Sequence, residues 1–182
     1  MNSRNNSHHE IQDLEFQVGS DMSEFKEYYR TLTDLQLYLR KENKDLGTCE
    51  ENHIKNDPNH LMIIKKKSKI IGHAIWHESS TEVHLPNQPR DPHDRNLLRE
   101  FFHGEGYFVE LHELWLKTKY RGQGIGQRFF RFFEKFIKEQ GFHAIIYYTD
   151  NEAAETICRK RGYLESFLPE ENWMVFYLPL TL

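Results

Sequence analysis

The sequence predicts one α/β domain in which a mixed sheet is flanked by helices. Three observations predict it. Runs of apolar and β-prone residues at 61–66, 70–77, 107–116, 142–149 and 173–178 have the length and composition of strands. Stretches at 21–40, 125–140 and 151–161 carry apolar residues at helical spacing. A glycine-rich bend, Arg121–Gly126 (R-G-Q-G-I-G), joins a strand to a helix in mid-chain. A chain of 182 residues can bury one sizeable core.

Residues 1–12 are rich in Asn, Ser and His and read as a disordered tail, so the domain is expected over 13–182. Leu14, Phe16 and Val18 alternate as a short first strand. Asp21 and Glu24 have capping-box spacing for a helix to about Arg40. Its face carries Phe25, Tyr28, Tyr29, Leu32, Leu35 and Leu39, a stripe suited to core packing. Residues 41–60 are polar and read as a loop. Two strands follow, joined at Lys67–Ser68 without the usual Asn-Gly signal. Pro86, Pro89 and Pro92 argue against regular structure in 79–105, apart from a short helix over 94–103. The helix after the glycine bend has five Phe in eight positions; Ile125, Phe129, Phe132 and Phe136 share one face. Gly141 ends it. Asp150 or Asn151 caps the next helix, which Gly162 and Tyr163 close.

Composition excludes several classes of function. A net charge of −4 suggests no nucleic-acid partner. No apolar run approaches the roughly 20 residues that cross a bilayer, and Met1–Glu10 lacks a signal peptide's apolar core. Two cysteines, Cys49 and Cys158, imply no disulfide framework and fit a reducing cytoplasm. The eleven histidines are scattered and there is no C-x-x-C pair, so no metal site is expected.

Two places carry chemistry. At Arg121–Gly126 a bend before a helix N-terminus turns several backbone N–H groups toward one point, where the helix dipole favours an anion such as phosphate. Gly122, Gly124 and Gly126 would let the backbone come close, and Arg121 would add charge. The nucleotide P-loop pattern is absent, and the dinucleotide fingerprint fails because Gln127 stands where its third Gly belongs. The second place is the strand 107–116. Glu110 and Glu113 are out of character in a central strand, which points either to a functional site or to ion pairing at a strand end.

The bend resembles the pyrophosphate-binding segment of the GNAT superfamily of acyl-CoA-dependent N-acyltransferases, [RQ]-x-x-G-x-[GA], at Arg121, Gly124 and Gly126. The run I-I-G-H-A-I-W is similar to that family's third strand, and Asn151, Ala154, Gly162 and Tyr163 match its N-x-x-A-x-x-x-Y-x-x-x-G-[FY] segment. The resemblance covers about residues 14–178. It implies a mixed, mostly antiparallel sheet with a V-shaped splay between the fourth and fifth strands.

It also implies roles. Backbone groups at Leu114, Trp115 and Leu116 would pair with the pantetheine arm of acetyl-CoA. The amides of Arg121, Gly122, Gln123, Gly124, Ile125 and Gly126 would hold the pyrophosphate, and the Asn151 side chain would bond the pantetheine region. An amine acceptor needs a base, since it is protonated at neutral pH. Glu113 is the first choice, Glu110 the second and His112 the third. Leu116 N–H would polarise the thioester carbonyl. Cys158 stands where many relatives carry a proton-donating Tyr. It either gives up a proton or packs as a small hydrophobe, and Tyr147, Tyr148 and Tyr163 are alternative donors. The expected activity is direct acetyl transfer to a small-molecule primary amine. A protein or peptide amine and a non-catalytic sensor of acyl-CoA are the alternatives, and a homodimer is compatible. By the family's standard 79–105 is an insert, either a solvated loop or a wall over the acceptor.

Overall fold

A computed structural model describes residues 13–19, 22–32, 60–85 and 88–180. Leu35, Leu39, Cys49, Asp21 and the tail lie outside the described residues. Among the described residues, nine strands and four α-helices run β1 Leu14–Val18, α1 Met22–Arg30, β2 Leu61–Lys66, β3 Lys69–Ser80, β4 Val83–Leu85, β5 Gln88–Pro89, α2 Pro92–Phe102, β6 Tyr107–Leu116, α3 Ile125–Glu139, β7 Ala144–Thr149, α4 Glu152–Lys160, β8 Leu164–Leu168 and β9 Trp173–Pro179. A 3₁₀ turn, Thr118–Tyr120, follows β6.

Seven strands form one sheet in the order β1-β2-β3-β6-β7-β9-β8. It is mostly antiparallel, as expected: β1–β2, β2–β3, β7–β9 and β8–β9 are antiparallel, and β6–β7 is parallel. The β6–β7 ladder covers Val109–Leu111.

The chain divides into two compact units. The first takes the described residues up to Ile75 together with Glu113–Tyr120. Phe25, Tyr28 and Leu32 pack there against Leu61, Ile63, Ile70 and Ile75. The β2–β3 turn forms without Asn-Gly because Lys67 and Ser68 themselves take φ of 51° and 60°. Two positive φ values match a type I′ hairpin turn, at a cost of about 1 kcal/mol or more per L-residue.

The second unit takes Trp76–His112 and the described residues from Arg121 onward. Leu98 of α2 packs with Phe108, Ala144, Ile146, Leu168 and Val175. On α3 the fully covered face is Ile125, Phe129, Phe130, Phe133 and Ile137. Phe132 and Phe136, placed on that face by the sequence, are half-buried instead. Phe136 meets the edge of Trp76 at 6.0 Å.

Residues 79–105 are more regular than their prolines suggested. β3 runs on to Ser80, a small hairpin pairs β4 with β5, and α2 begins two residues before the expected start. Pro92 sits at N1, where a missing N–H is harmless, and Asp91 caps by accepting from His93 N at 2.8 Å. The sequence reading also missed β8, which pairs with β9.

Candidate functional site

In the first unit, β3 and β6 bring a histidine to Glu113. His73 is completely buried, and its ring meets Phe25, Tyr28 and Tyr29 edge-on at 5.4–5.6 Å. Its Nε2 bonds Glu113 Oε1, and its Nδ1 lies 3.0 Å from the Tyr28 hydroxyl. An ionised carboxylate only accepts, so Nε2–H donates to Glu113, and in the neutral ring Nδ1 accepts from Tyr28. Lys117 Nζ lies 4.9 Å from the Tyr28 ring centroid. Glu113 is therefore a half-buried carboxylate held by a buried side-chain chain. The sequence placed Tyr28 only in the core stripe of the first helix and gave His73 no role. Each sits in an otherwise apolar pattern, and the polar residue inside the run I-I-G-H-A-I-W was the available signal.

Leu114, Trp115 and Leu116 complete β6 and are half-buried, with Trp115 against the first unit's core. Gly72 of β3 lies so close to this segment that a Cβ there would stand 2.5 Å from Trp115 O.

In the second unit, Glu110 is nearly inaccessible and ion-paired. Arg90 donates to Glu110 Oε2 at 2.9 Å, to Asp94 Oδ2 at 2.6 Å and to Ser80 O at 2.9 Å. Tyr148 donates to Asp94 Oδ1 at 2.7 Å. His84 Nδ1 lies 3.3 Å from Glu110 Oε2, and His77 Nε2 lies 3.7 Å from Oε1. Burial would raise the Glu110 pKa, but the histidines beside it outweigh burial and hold it well below the usual carboxylate range. The His112 ring lies 5.9 Å from that of His77.

Arg121, Gly122, Gln123 and Gly124 are exposed, ahead of the N-terminus of α3. Gly122 and Gly124 have φ of 74° and 75°, left-handed values that a side chain would strain. Gly124 is the N-cap of α3, and no side chain caps the first turn. Ile125 and Gly126 are the first helical residues, whose N–H groups have no acceptor within an α-helix.

Asn151 is exposed and caps α4, its Oδ1 accepting from Ala153 N at 3.1 Å and Ala154 N at 3.2 Å. Its oxygen is thus engaged in capping, while its amide NH₂ is the group suited to another acceptor. Cys158 is wholly buried on the same helix. Burial, reinforced by the charge of Glu134, pushes its thiol up to about 12. Tyr163 donates to Glu134 Oε1 at 3.2 Å, and Tyr147 is buried against Phe130. Burial, with Glu134 and Glu110 next in each case, raises the pKa of Tyr163 and Tyr148 well above the ordinary tyrosine value.

Solved structures with this fold include acetyltransferases. A mosquito arylalkylamine N-acetyltransferase-like 5b is 14% identical, with a TM-score of 0.65, covering 92% of this chain and 100% of that one. An agmatine N-acetyltransferase is 12% identical, with a TM-score of 0.62 and coverage of 92% and 100%. A chain of the NatC complex bound to Gag peptide and CoA is 13% identical, with a TM-score of 0.61 and coverage of 93% and 99%. No curated protein matches by sequence. The acetyltransferase (GNAT) family profile matches residues 22–163, and the chain belongs to that family. It is accordingly an acyltransferase that uses acetyl-CoA. No helix among the described residues is long and apolar enough to cross a membrane.

Proposed function

We propose that the protein transfers the acetyl group of acetyl-CoA directly to the primary amine of a small, cationic molecule, with Glu113 as base. The amine nitrogen attacks the thioester carbonyl carbon, the C–S bond breaks, and CoA leaves as the thiolate, which takes up the second proton that the acylated nitrogen loses. Glu113 takes the proton that the ammonium must lose before attack, directly or through water. The observation that carries this reading is the chain Tyr28–His73–Glu113, which fixes the carboxylate in one orientation.

Glu110 is the weaker base, since the histidines beside it hold it in the charged form and Arg90 takes up its Oε2. Cys158 is assigned to packing, because a buried thiol with a pKa near 12 is a poor proton source at neutral pH. The family's pattern supports the cofactor roles: pantetheine against the backbone of Leu114–Leu116, with β6 splayed from β7, and pyrophosphate at Arg121–Gly126. The Asn151 amide would serve the pantetheine region. Leu116 N–H would face the developing oxyanion.

Acidic residues on β6 and a net charge of −4 favour a cationic acceptor. The arylalkylamine and agmatine enzymes among the structural neighbours favour a small one, and the NatC neighbour stands for the peptide alternative. We further place the protein in the cytoplasm as a homodimer. Two cysteines call for no oxidising compartment, and edge strand β8 exposes Leu164 and Phe167. Light scattering tests the dimer.

The deciding experiment is a thiol-release assay with acetyl-CoA against polyamines, arylalkylamines, amino acids and peptides. Release with small amines alone is expected. Release with peptides alone would replace the acceptor class, and CoA binding with no release across the panel would make the chain a sensor. Glu113→Gln should lower kcat about 10²- to 10⁴-fold and remove the acid limb of the pH–rate profile. An unchanged profile removes Glu113 as base.

A further inference from the structure

We propose that His77 of β3, His84 of β4 and Glu110 of β6 form a seat for one divalent transition-metal ion, with zinc the best match to the donors. One ligand atom from each of the three lies within 4.8 Å of the others. Zinc holds nitrogen and oxygen donors at about 2.0–2.2 Å, which at tetrahedral angles sets them about 3.3–3.5 Å apart. The His84 Nδ1–Glu110 Oε2 and His77 Nε2–Glu110 Oε1 separations are 3.3 and 3.7 Å, so each imidazole faces its own oxygen of the carboxylate at close to that spacing. The longer one exceeds an N–H···O hydrogen bond and suits a cation between the two atoms.

The ring of His77 is set as a metal ligand's would be. Its Nδ1 faces Glu78 O at 3.1 Å. A carbonyl only accepts, so Nδ1 carries the hydrogen, and Nε2, facing Glu110, is the ligand atom, giving up its proton as an ion enters. Histidines that bind metals commonly donate their other N–H to a backbone carbonyl in this way.

Charge agrees. Glu110 and Asp94 bring two negative charges, and Arg90 brings one positive charge. With neutral imidazoles the buried cluster keeps a net negative charge for a cation to meet. Arg90 donates to Oε2, which also faces His84, while Oε1 faces His77.

Two imidazoles and a carboxylate form a three-ligand set with a fourth position for water. The His84 side chain is 23% exposed and marks the side from which an ion enters. Bound metal would fasten the β4–β5 hairpin to β3 and β6. The ligands are 7 and 26 residues apart, a spacing that matches no metal motif and was invisible in the sequence.

The test is metal binding by the full chain after chelator treatment, independent of acetyl transfer. Titration calorimetry with zinc is expected to give one site per chain. Cobalt substitution should give the intense visible bands of a four- or five-coordinate ion. His84→Ala should weaken zinc binding at least about 100-fold. His77→Gln should do the same, while His8→Ala with His9→Ala should leave it unchanged. Circular dichroism verifies that the variants fold. A wild-type chain that binds no zinc, or gives only the weak spectrum of octahedral cobalt, overturns the proposal. So does binding that persists undiminished in folded His84→Ala or His77→Gln, or that disappears with His8 and His9.

Discussion

Two residues that resemble each other in sequence have opposite standing in the structure. Glu113 is half-buried and held by a histidine whose other nitrogen meets a tyrosine. Glu110 is enclosed with a guanidinium and two imidazoles. A carboxylate that must exchange a proton suits the first setting better than the second. Cys158 is decided by the same reasoning. Its thiol has no exposed surface and titrates near 12. Cys158→Ala should therefore cost about 1–2 kcal/mol in urea unfolding, from the small cavity it leaves, and leave kcat within about twofold. Alkylation mapped by mass spectrometry should reach native Cys158 only slowly and accelerate in denaturant. A tenfold fall in kcat with stability intact would return the thiol to the chemistry.

At the scale of elements, β3 depends on having no side chain at Gly72. A Cβ there would lie 2.5 Å from Trp115 O and 2.6 Å from Leu116 Cδ2. Leucine can rotate, but a backbone carbonyl within a strand cannot yield cheaply. Gly72→Ala should then cost about 2 kcal/mol or more in unfolding and weaken CoA binding, which calorimetry would detect, because Trp115 and Leu116 belong to the proposed pantetheine segment. An alanine variant with wild-type stability and affinity would show that the strands separate easily. Elements with strong periodicity were legible: β2 and β6 have the expected limits, and Asn151 caps α4. The β4–β5 hairpin and β8 were not. They are short, and β8 exposes Leu164 and Phe167, so neither shows a buried alternation. Of the candidate site, Glu113 was legible as a charge in an apolar strand. His73 left one signal, a polar residue inside an apolar run, but it meets Glu113, as His77 and His84 meet Glu110, only through strand placement.

For the molecule as a whole, the buried titratable groups shape stability against pH. Glu110 has a native pKa well below its ordinary 4.5. The unfolded chain therefore binds its proton first as pH falls. The stabilisation is present above about 4.5 and is lost as pH drops through the native value. Cys158 moves the other way, from 9.0 to about 12, and Tyr148 and Tyr163 lie well above 10.0. In these three the unfolded chain loses its proton first. Their stabilisation is complete below about 9 and declines as pH rises toward the native values. Thermal melts from pH 3 to 11 should thus show a plateau between roughly 5 and 9 with a fall on each side. The alkaline side can be divided. Cys158→Ala should delete the part that begins near 9 and leave the tyrosine part that begins near 10. The acid side should flatten in Glu110→Gln, on a lower plateau, because Arg90 then keeps its charge in a buried site with one partner fewer. An acid limb of wild-type steepness in that variant would assign it to other carboxylates and take the Arg90–Glu110 pair out of the molecule's response to acid.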